Sequence, residues 1–495
     1  MKPLNRRDFM RNSALAMPLL LTGFHAVSGE TAAAAPRRRP NILFLFADDQ
    51  CHEALGCLGA EVKTPNLDRL AARGVNFTHA YNQGGWHGAI CVASRTMLLT
   101  GRQLWHAAAL EPKLNDEIAA RRFWPQLLQD GAGYDTWMAG KWHIQAPVEK
   151  AFMTTRHIRP GMAPDKKLDY NRPLDGKPDT WNPWDEEMGG HWTGGKHWSE
   201  VLGDDGVDFI GQAAKRDKPF FMYLAFNAPH DPRQSPKRYV DLYPADQVKV
   251  PENFLPEYPD KDGIGCDKSL RDEALAPFPR TRHAIQVHRQ EYFAIITHMD
   301  DQIGRILDAL EKSGQAENTV IIFAADNGLA IGQHGLMGKQ SLFEHSIGIP
   351  LIIAGAGIPQ GKRIEAPVYL QDIMPTSLEL AGIPVPAQVE FNSLLPLIRG
   401  EQAALHESIY GAYMNLQRMV HKGDYKLIVY PKLGKTLLFN VKTDPLETID
   451  LAGRPESAPI LAELQLELLR LQRTGNDPLL LPKAKQPKTK AAPAH

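Results

Sequence analysis

Asp48 and Asp49 are adjacent carboxylates, and Asp326 and Asn327 repeat the theme far along the chain. Each pair directly follows an apolar run, Asn41 to Ala47 in one case and Val320 to Ala324 in the other. Runs of that kind are central strands buried on both faces. In open α/β sheets, ligands bind at the carboxyl edge of such strands. Three carboxylates and an amide oxygen meeting there make a hard oxygen site for Ca²⁺ or Mg²⁺. Without a cation they would repel and resist joint ionisation. Either pair taken alone also suits a turn or a helix cap. A second chemical signal is Cys91-Val92-Ala93-Ser94-Arg95, followed by Thr100-Gly101-Arg102. Ser94 to Leu99 reads as a helix with Cys91 just before it. A helix start carries partial positive charge and free N–H groups, which lower a thiol pKa and attract anions. On residue chemistry alone, a reactive thiolate and a buried structural cysteine are equally good readings of Cys91.

The elements that would position these groups follow from periodicity. Further apolar runs lie at Phe220 to Phe226 and at Leu351 to Ala354. Thr64-Pro65 starts a helix that Gly74 closes. Tyr292, Ile295, Met299, Ile303, Ile306 and Leu310 recur every three or four residues and predict one long amphipathic helix. Strands alternating with helices predict an α/β fold with a doubly wound, largely parallel central sheet flanked by helices. Residues 39–385 form this expected catalytic domain. Within it, about 144–215 is rich in Pro, Asp, Gly and Trp and reads as inserted surface loops. Residues 386–481 predict a smaller C-terminal α+β subdomain, with strands at Tyr425 to Tyr430 and Leu437 to Asn440 and a helix from about Ala458 to Arg473. Residues 482–495 read as a disordered basic tail.

The chain has 495 residues, 43% of them apolar, and a formal net charge of -1. That balance gives no whole-chain field toward nucleic acid or an anionic membrane, while leaving room for a local anion site. Four cysteines are too few for a disulfide scaffold. Cys51 and Cys57 are close enough in sequence to pair, and two free thiols are equally compatible. Arg6-Arg7-Asp8-Phe9-Met10, then an apolar run from Ala14 to Ala26 and small residues at Ala33-Ala34-Ala35, read as a twin-arginine export signal over residues 1–38. A disordered basic leader is the alternative. The apolar run is too short to span a bilayer, and no other stretch reads as a transmembrane helix. The expected destination is the periplasm or the exterior, with the Tat export machinery as a partner and no membrane contact in the mature form.

The Cys91 stretch resembles the signature of the type I, formylglycine-dependent sulfatases of the alkaline-phosphatase-like superfamily. Asp48-Asp49-Gln50 and Asp326-Asn327-Gly328 resemble that family's two metal motifs. Gly140-Lys141-Trp142-His143, Ala228-Pro229-His230 and Gly338-Lys339 are similar to its lysine and histidine motifs, and all occur in the family's order. The resemblance covers roughly residues 40 to 475, counting Asp444 to Glu447. It implies that a separate formylglycine-generating maturation enzyme converts Cys91 to 3-oxoalanine (formylglycine). The hydrated aldehyde would then attack sulfur at a Ca²⁺ site and displace the alcohol, and loss of the second hydroxyl's proton would expel sulfate. It further implies that Asp48, Asp49, Asp326 and Asn327 hold the ion, with the oxygen at position 91 as a further ligand, and that Arg95 fixes the diol. Lys141 and Lys339 would bind sulfate oxygens. His143 would act as base for sulfate release, and His230 would protonate the leaving alcohol or hold the sulfate. Two positions depart from the pattern. Ala93 stands where many members have proline, which leaves the maturation system open. Gly348 stands where an arginine is common.

Trp86, His87 and His334 are the candidate substrate contacts. Trp181, Trp184, Trp192 and Trp198, with His191 and His197, crowd the insertion, where aromatic faces either meet sugar rings or pin loops. The expected activity is hydrolysis of a sulfate ester, on a sulfated small molecule or glycan. A phosphodiester or phosphonate monoester hydrolase on the same fold is one alternative. A sulfated-glycan-binding protein with unconverted Cys91 is another.

Overall fold

The computed structural model describes residues 39–479 and 481. The expected leader and basic tail lie outside the described residues. Among the described residues fourteen strands are arranged in two sheets. In chain order they are β1 (Asn41–Ala47), β2 (Gly74–Tyr81), β3 (Gly84–Gly85), β4 (Asp135–Lys141), β5 (Thr154–Arg159), β6 (Phe220–Ala225), β7 (Thr319–Ala325), β8 (Gly348–Gly355), β9 (Lys362–Ile364), β10 (Val368–Tyr369), β11 (Ile409–Tyr413), β12 (Gln417–Lys422), β13 (Tyr425–Tyr430) and β14 (Lys435–Asn440). The main sheet runs β10-β2-β8-β7-β1-β6-β4-β5, with β9 alongside β2. Its pairings are parallel except those of β8, which is antiparallel to both neighbours. This is the doubly wound, largely parallel sheet that the alternating pattern predicts.

Register fixes where the chemistry falls. Ala47, the last residue of β1, lies opposite Ala325, the last residue of β7. The residues that follow, Asp48 and Asp326, therefore leave the sheet side by side. On the other flank of β1, Phe46 lies opposite Ala225, and Ala225 lies opposite Gly140 of β4. Lys141 thus reaches the same edge. The strands that achieve this alignment are entirely buried along β1, β4 and β6, each apolar side chain contributing about 1.5–3 kcal/mol by leaving water.

Four helices matter for the site. They are α1 (Pro65–Ala72), α2 (Ile90–Thr100), α3 (Trp198–Ala213) and α4 (Arg282–Lys312). The Thr281 hydroxyl accepts from the Ala284 N–H at 3.1 Å and starts α4. Its predicted stripe of Ile295, Met299, Ile303, Ile306 and Leu310 is buried.

Two expectations change here, and one question left open is answered. The stretch 144–215 is not all loop: β5 is the edge strand of the main sheet and α3 packs along α4. Strand β5 reads Thr-Thr-Arg-His-Ile-Arg and is half exposed, as an edge strand allows. Helix α3 carries glycines because it lies close to its neighbours. A side chain at Gly206 would press on Ile306 and Leu224 at 2.9 Å. Next, the boundary at 385/386 is crossed, because β3 extends the second sheet, whose order is β14-β13-β12-β11-β3. Finally, Cys51 and Cys57 are free thiols, one buried and one exposed. A fifth helix, α5 (Ala458–Thr474), buries Leu464 and Leu468 against the second sheet. Among the described residues no helix is long and apolar enough to cross a membrane.

Candidate active site

Cys91 sits inside the first turn of α2, not before it as the sequence suggested. The N-cap residue, Ala89, offers no side-chain oxygen, so the positive end of α2 is left to groups of the site. The Cys91 Sγ lies 3.2 Å from Asp48 Oδ1, 3.6 Å from Asp49 Oδ1 and 3.1 Å from Lys339 Nζ. One candidate ligand atom from each of Asp48, Asp49, Cys91 and Asp326 falls within 4.8 Å of the others. All four residues are buried.

Around this cluster stand three cations. Lys141 Nζ donates to Asp48 Oδ2. Lys339 Nζ donates to both Asp49 oxygens at 2.7 Å. Arg95 Nε donates to Asp326 Oδ2 at 3.0 Å, and its Nη1 donates to the Lys141 carbonyl at 3.0 Å. The guanidinium lies 4.7 Å above the Phe46 ring, which leaves it little freedom. The Asp49 N–H donates to Asp326 Oδ1, and Asn327 Nδ2 donates to Asp49 Oδ1 at 2.6 Å. Asp49 and His143 hold left-handed backbone conformations, with φ of 68° and 59°, at the ends of their strands. For residues with a side chain that conformation is unfavourable and needs surrounding structure to hold it.

Charge at the site is unevenly compensated. Burial first, and Asp326 second, push the Asp48 carboxyl well above the usual carboxylate range. For Asp49 burial acts in the same sense, but Lys339 and His230 outweigh it and the carboxyl stays low. Burial and the neighbouring Asp326 and Asp48 also drive the Cys91 thiol far up, so it is a neutral thiol at pH 7. The helix start does not make it a thiolate, because desolvation dominates. Asn327 Oδ1 is buried without a hydrogen-bond partner. A buried amide oxygen beside three carboxylates, one of them held back from ionising, fits a divalent hard cation.

The two histidines flank the cluster. His230 Nδ1 donates to the Asp231 carbonyl at 2.8 Å, which turns Nε2 toward Asp49 Oδ2, 3.7 Å away. Burial and then Lys339 lower its pKa to about 4. Burial and then Lys141 lower that of His143 to about 2. Both rings are neutral at pH 7. Gly161 backs the His143 ring so closely that any side chain at that glycine would overlap it.

The remaining candidates are placed elsewhere. Trp86 Nε1 donates to Glu111 Oε2 at 2.7 Å, and His87 Nε2 lies 3.3 Å from Glu111 Oε1, so their polar edges turn to Glu111. His334 is a correction. Its Nδ1 pairs with His345 at 3.3 Å, its Nε2 with the Glu447 carbonyl at 3.0 Å, and its ring stacks on Phe343 at 4.0 Å. Nothing of that ring is left for a ligand. Of the insertion tryptophans, Trp181, Trp192 and Trp198 are buried and anchor the loops, while Trp184 is exposed. Asp231, clamped by Arg271, escaped the sequence reading. Its place beside His230 was the available signal.

A buried carboxylate cluster at the carboxyl edge of a doubly wound sheet, ringed by two lysines, an arginine and two neutral histidines, defines a class of anion-ester hydrolase. The sulfatase family model matches residues 40–383, and a model described as N-sulphoglucosamine sulphohydrolase, C-terminal, matches residues 332–474. The chain belongs to the sulfatase family, sulfuric ester hydrolases of the alkaline-phosphatase-like fold. It is 25% identical to an N-acetylglucosamine-6-O-sulfatase of Bacteroides thetaiotaomicron over 95% of this chain and 93% of that one. It is 28% identical to an arylsulfatase of Clostridium perfringens over 84% and 91%. A solved structure of a complex with D-glucosamine-2-N,6-O-disulfate superposes with a TM-score of 0.68 at 24% identity, covering 90% of this chain and 99% of that chain.

Proposed function

We propose that this enzyme removes sulfate from a sulfated carbohydrate, with Cys91 converted to formylglycine and Ca²⁺ held by Asp48, Asp49, Asp326 and Asn327. The observation that carries the reading is the meeting of Cys91, three carboxylates and two lysines within one buried shell. The sugar assignment rests on the N-acetylglucosamine-6-O-sulfatase relative, which aligns over nearly the whole chain. In the net reaction water is added across the ester: the S–O bond to the alcohol breaks, the alcohol oxygen gains a proton and hydrogen sulfate leaves. A bound Ca²⁺ would polarise the sulfate, and formylglycine at position 91 would supply the oxygen nucleophile.

The chain's own residues do the rest. Lys141 and Lys339, held in place by Asp48 and Asp49, offer the negative sulfate oxygens point charges where charge develops in the transition state. Arg95 holds Asp326 and the Lys141 carbonyl in place. His143, neutral and backed by Gly161, keeps a buried Nδ1 without a hydrogen-bond partner and can hydrogen-bond the hydroxyl that loses its proton. His230 has Nδ1 committed to the Asp231 carbonyl, so whichever proton it moves passes through Nε2. Conversion of Cys91 by a formylglycine-generating enzyme, and export by the Tat machinery to the periplasm or beyond, complete the proposal.

Intact-mass analysis of the peptide spanning residue 91 tests it. Loss of the thiol with gain of an aldehyde is expected in active material, together with turnover of sulfate esters ahead of matched phosphate and phosphonate esters. An unmodified thiol in active native protein would overturn the conversion. Preference for the phosphorus esters would overturn the sulfatase reading.

A further inference from the structure

His191 lies in the insertion, outside every motif that carries the family resemblance. Its side chain is 1% exposed, and neither ring nitrogen has a hydrogen-bond partner. Leaving a buried donor or acceptor unmatched costs about 1–3 kcal/mol. A neutral imidazole has one of each. The ring is nevertheless held firmly. His197 meets it edge-on at 5.3 Å and Trp198 flanks it at 5.7 Å. The His191 N–H donates to Gln234 Oε1 at 2.8 Å. Gly190, with φ of 61°, lies so close to Gln234 and Pro232 that a side chain there would overlap them. The loop bearing His191 is thus pinned to residues 232–234, which follow His230 directly. The charges acting on the ring include His230, Asp231 and Lys141 of the site, together with His298, whose ring lies 4.5 Å from that of His197.

We propose that His191 is a specificity residue of the sulfatase site, one of whose two unpartnered ring nitrogens meets a hydroxyl of the substrate's sugar. The inference rests on the sulfated-carbohydrate reading above. A hydroxyl both donates and accepts, so it can meet either the N–H or the bare nitrogen of a neutral ring. Sites built to hydrogen-bond a substrate hydroxyl discriminate strongly against analogues that lack it. The neighbouring histidines do not compete for the role. His197 has Nδ1 taken by the Ser199 N–H and Nε2 by the Gln234 carbonyl. His298, whose nitrogens also lack a hydrogen bond, instead has its Nε2 3.3 Å from Glu200 Oε1 and its ring stacked on Tyr239.

The test compares N-acetylglucosamine 6-O-sulfate with p-nitrophenyl sulfate, using matured enzyme. His191→Ala should lower kcat/KM for the sugar sulfate about tenfold or more, mainly through KM. It should leave the aryl sulfate, which carries no hydroxyl, within about twofold. One of His191→Asn and His191→Gln, which place an amide near one or other ring nitrogen, should recover most of the sugar activity. Parallel losses on both substrates with a lowered Tm would make the residue structural and overturn the proposal, as would no change on either. Wild-type enzyme that cleaves the aryl sulfate but not the sugar would instead sink the carbohydrate reading, and this inference with it. Wild-type enzyme that cleaves neither would sink the sulfatase reading itself.

Discussion

At the scale of single residues, Asp326 shows how much one carboxylate carries. It accepts from the Asp49 N–H and pairs with Arg95, whose side chain is completely buried. Removing one partner of a buried pair costs about 3–5 kcal/mol, because the other charge is left uncompensated. Asp326→Ala should therefore lower both activity and stability, whereas Asp326→Asn keeps the shape and removes the charge. We expect both variants to lose about 10²–10³-fold or more in kcat/KM toward an aryl sulfate. Both variants leave Arg95 without its charge partner and should show a fall in Tm by calorimetry, the alanine variant the larger because it also leaves a void. Near-normal turnover in the asparagine variant would refute the metal assignment. Asp48, Asp49 and Asp326 were legible in the sequence because each follows an apolar strand. Lys141 and Lys339 were legible only through motif resemblance, since lysine is ordinarily a surface residue. Asp231 was not singled out, because Arg271, which clamps it, lies 40 residues further on, and His191 was marked only as one of the residues crowding the insertion.

At the scale of elements, the strand ends set the geometry. Gly140 has φ of 89° and lies so close to the Ala225 carbonyl that no side chain fits. Gly140→Ala would force β4 away from β6 just before Lys141. We expect a loss of roughly 3 kcal/mol or more in stability, read by denaturant unfolding, with activity falling in parallel. A preserved midpoint would show that the strand end yields easily. The long helix α4 and the central strands were legible because their periodicities are strong. Strand β5 and helix α3 were not. An edge strand needs no apolar run, and α3 trades helix formers for glycines that let it close on Ile306 and Leu224. Tertiary packing overrides local preference in both cases.

At the scale of the molecule, buried neutral histidines set the response to acid. Burial lowers the pKa of His143 to about 2, His191 to about 3, and His230 and His334 to about 4. It takes His197, His288 and His345 well below the usual range as well. Unfolded histidines titrate near 6.5, so below that pH the unfolded chain binds protons that the folded chain refuses. Stability present above pH 6.5 is then lost as pH falls, by up to about 1.4 kcal/mol per unit for each group. Asp48, pushed well up, Glu273 and Glu447, raised by burial to about 7, and Asp300, raised to about 6, oppose this but are fewer. The Tm should therefore fall between pH 6.5 and 5. A rising Tm over that range would show that the carboxyls dominate. The two-part architecture was legible in the sequence, but the crossing of its boundary by β3 was not. Two glycines at 84 and 85 are too short a strand to leave any periodic signal.

The enclosure of Cys91 also sets a clock. Its thiol is 1% exposed, and Lys339, which closes over it, lies 248 residues further along the chain. Were Cys91 converted as proposed, a catalyst that must grip this stretch would meet it freely only on a nascent chain. At about 5–20 residues per second, synthesis keeps that window open for on the order of tens of seconds. On that proposal biogenesis is a race between modification and folding, and slowing translation between residues 91 and 339 should raise the converted fraction measured by intact mass.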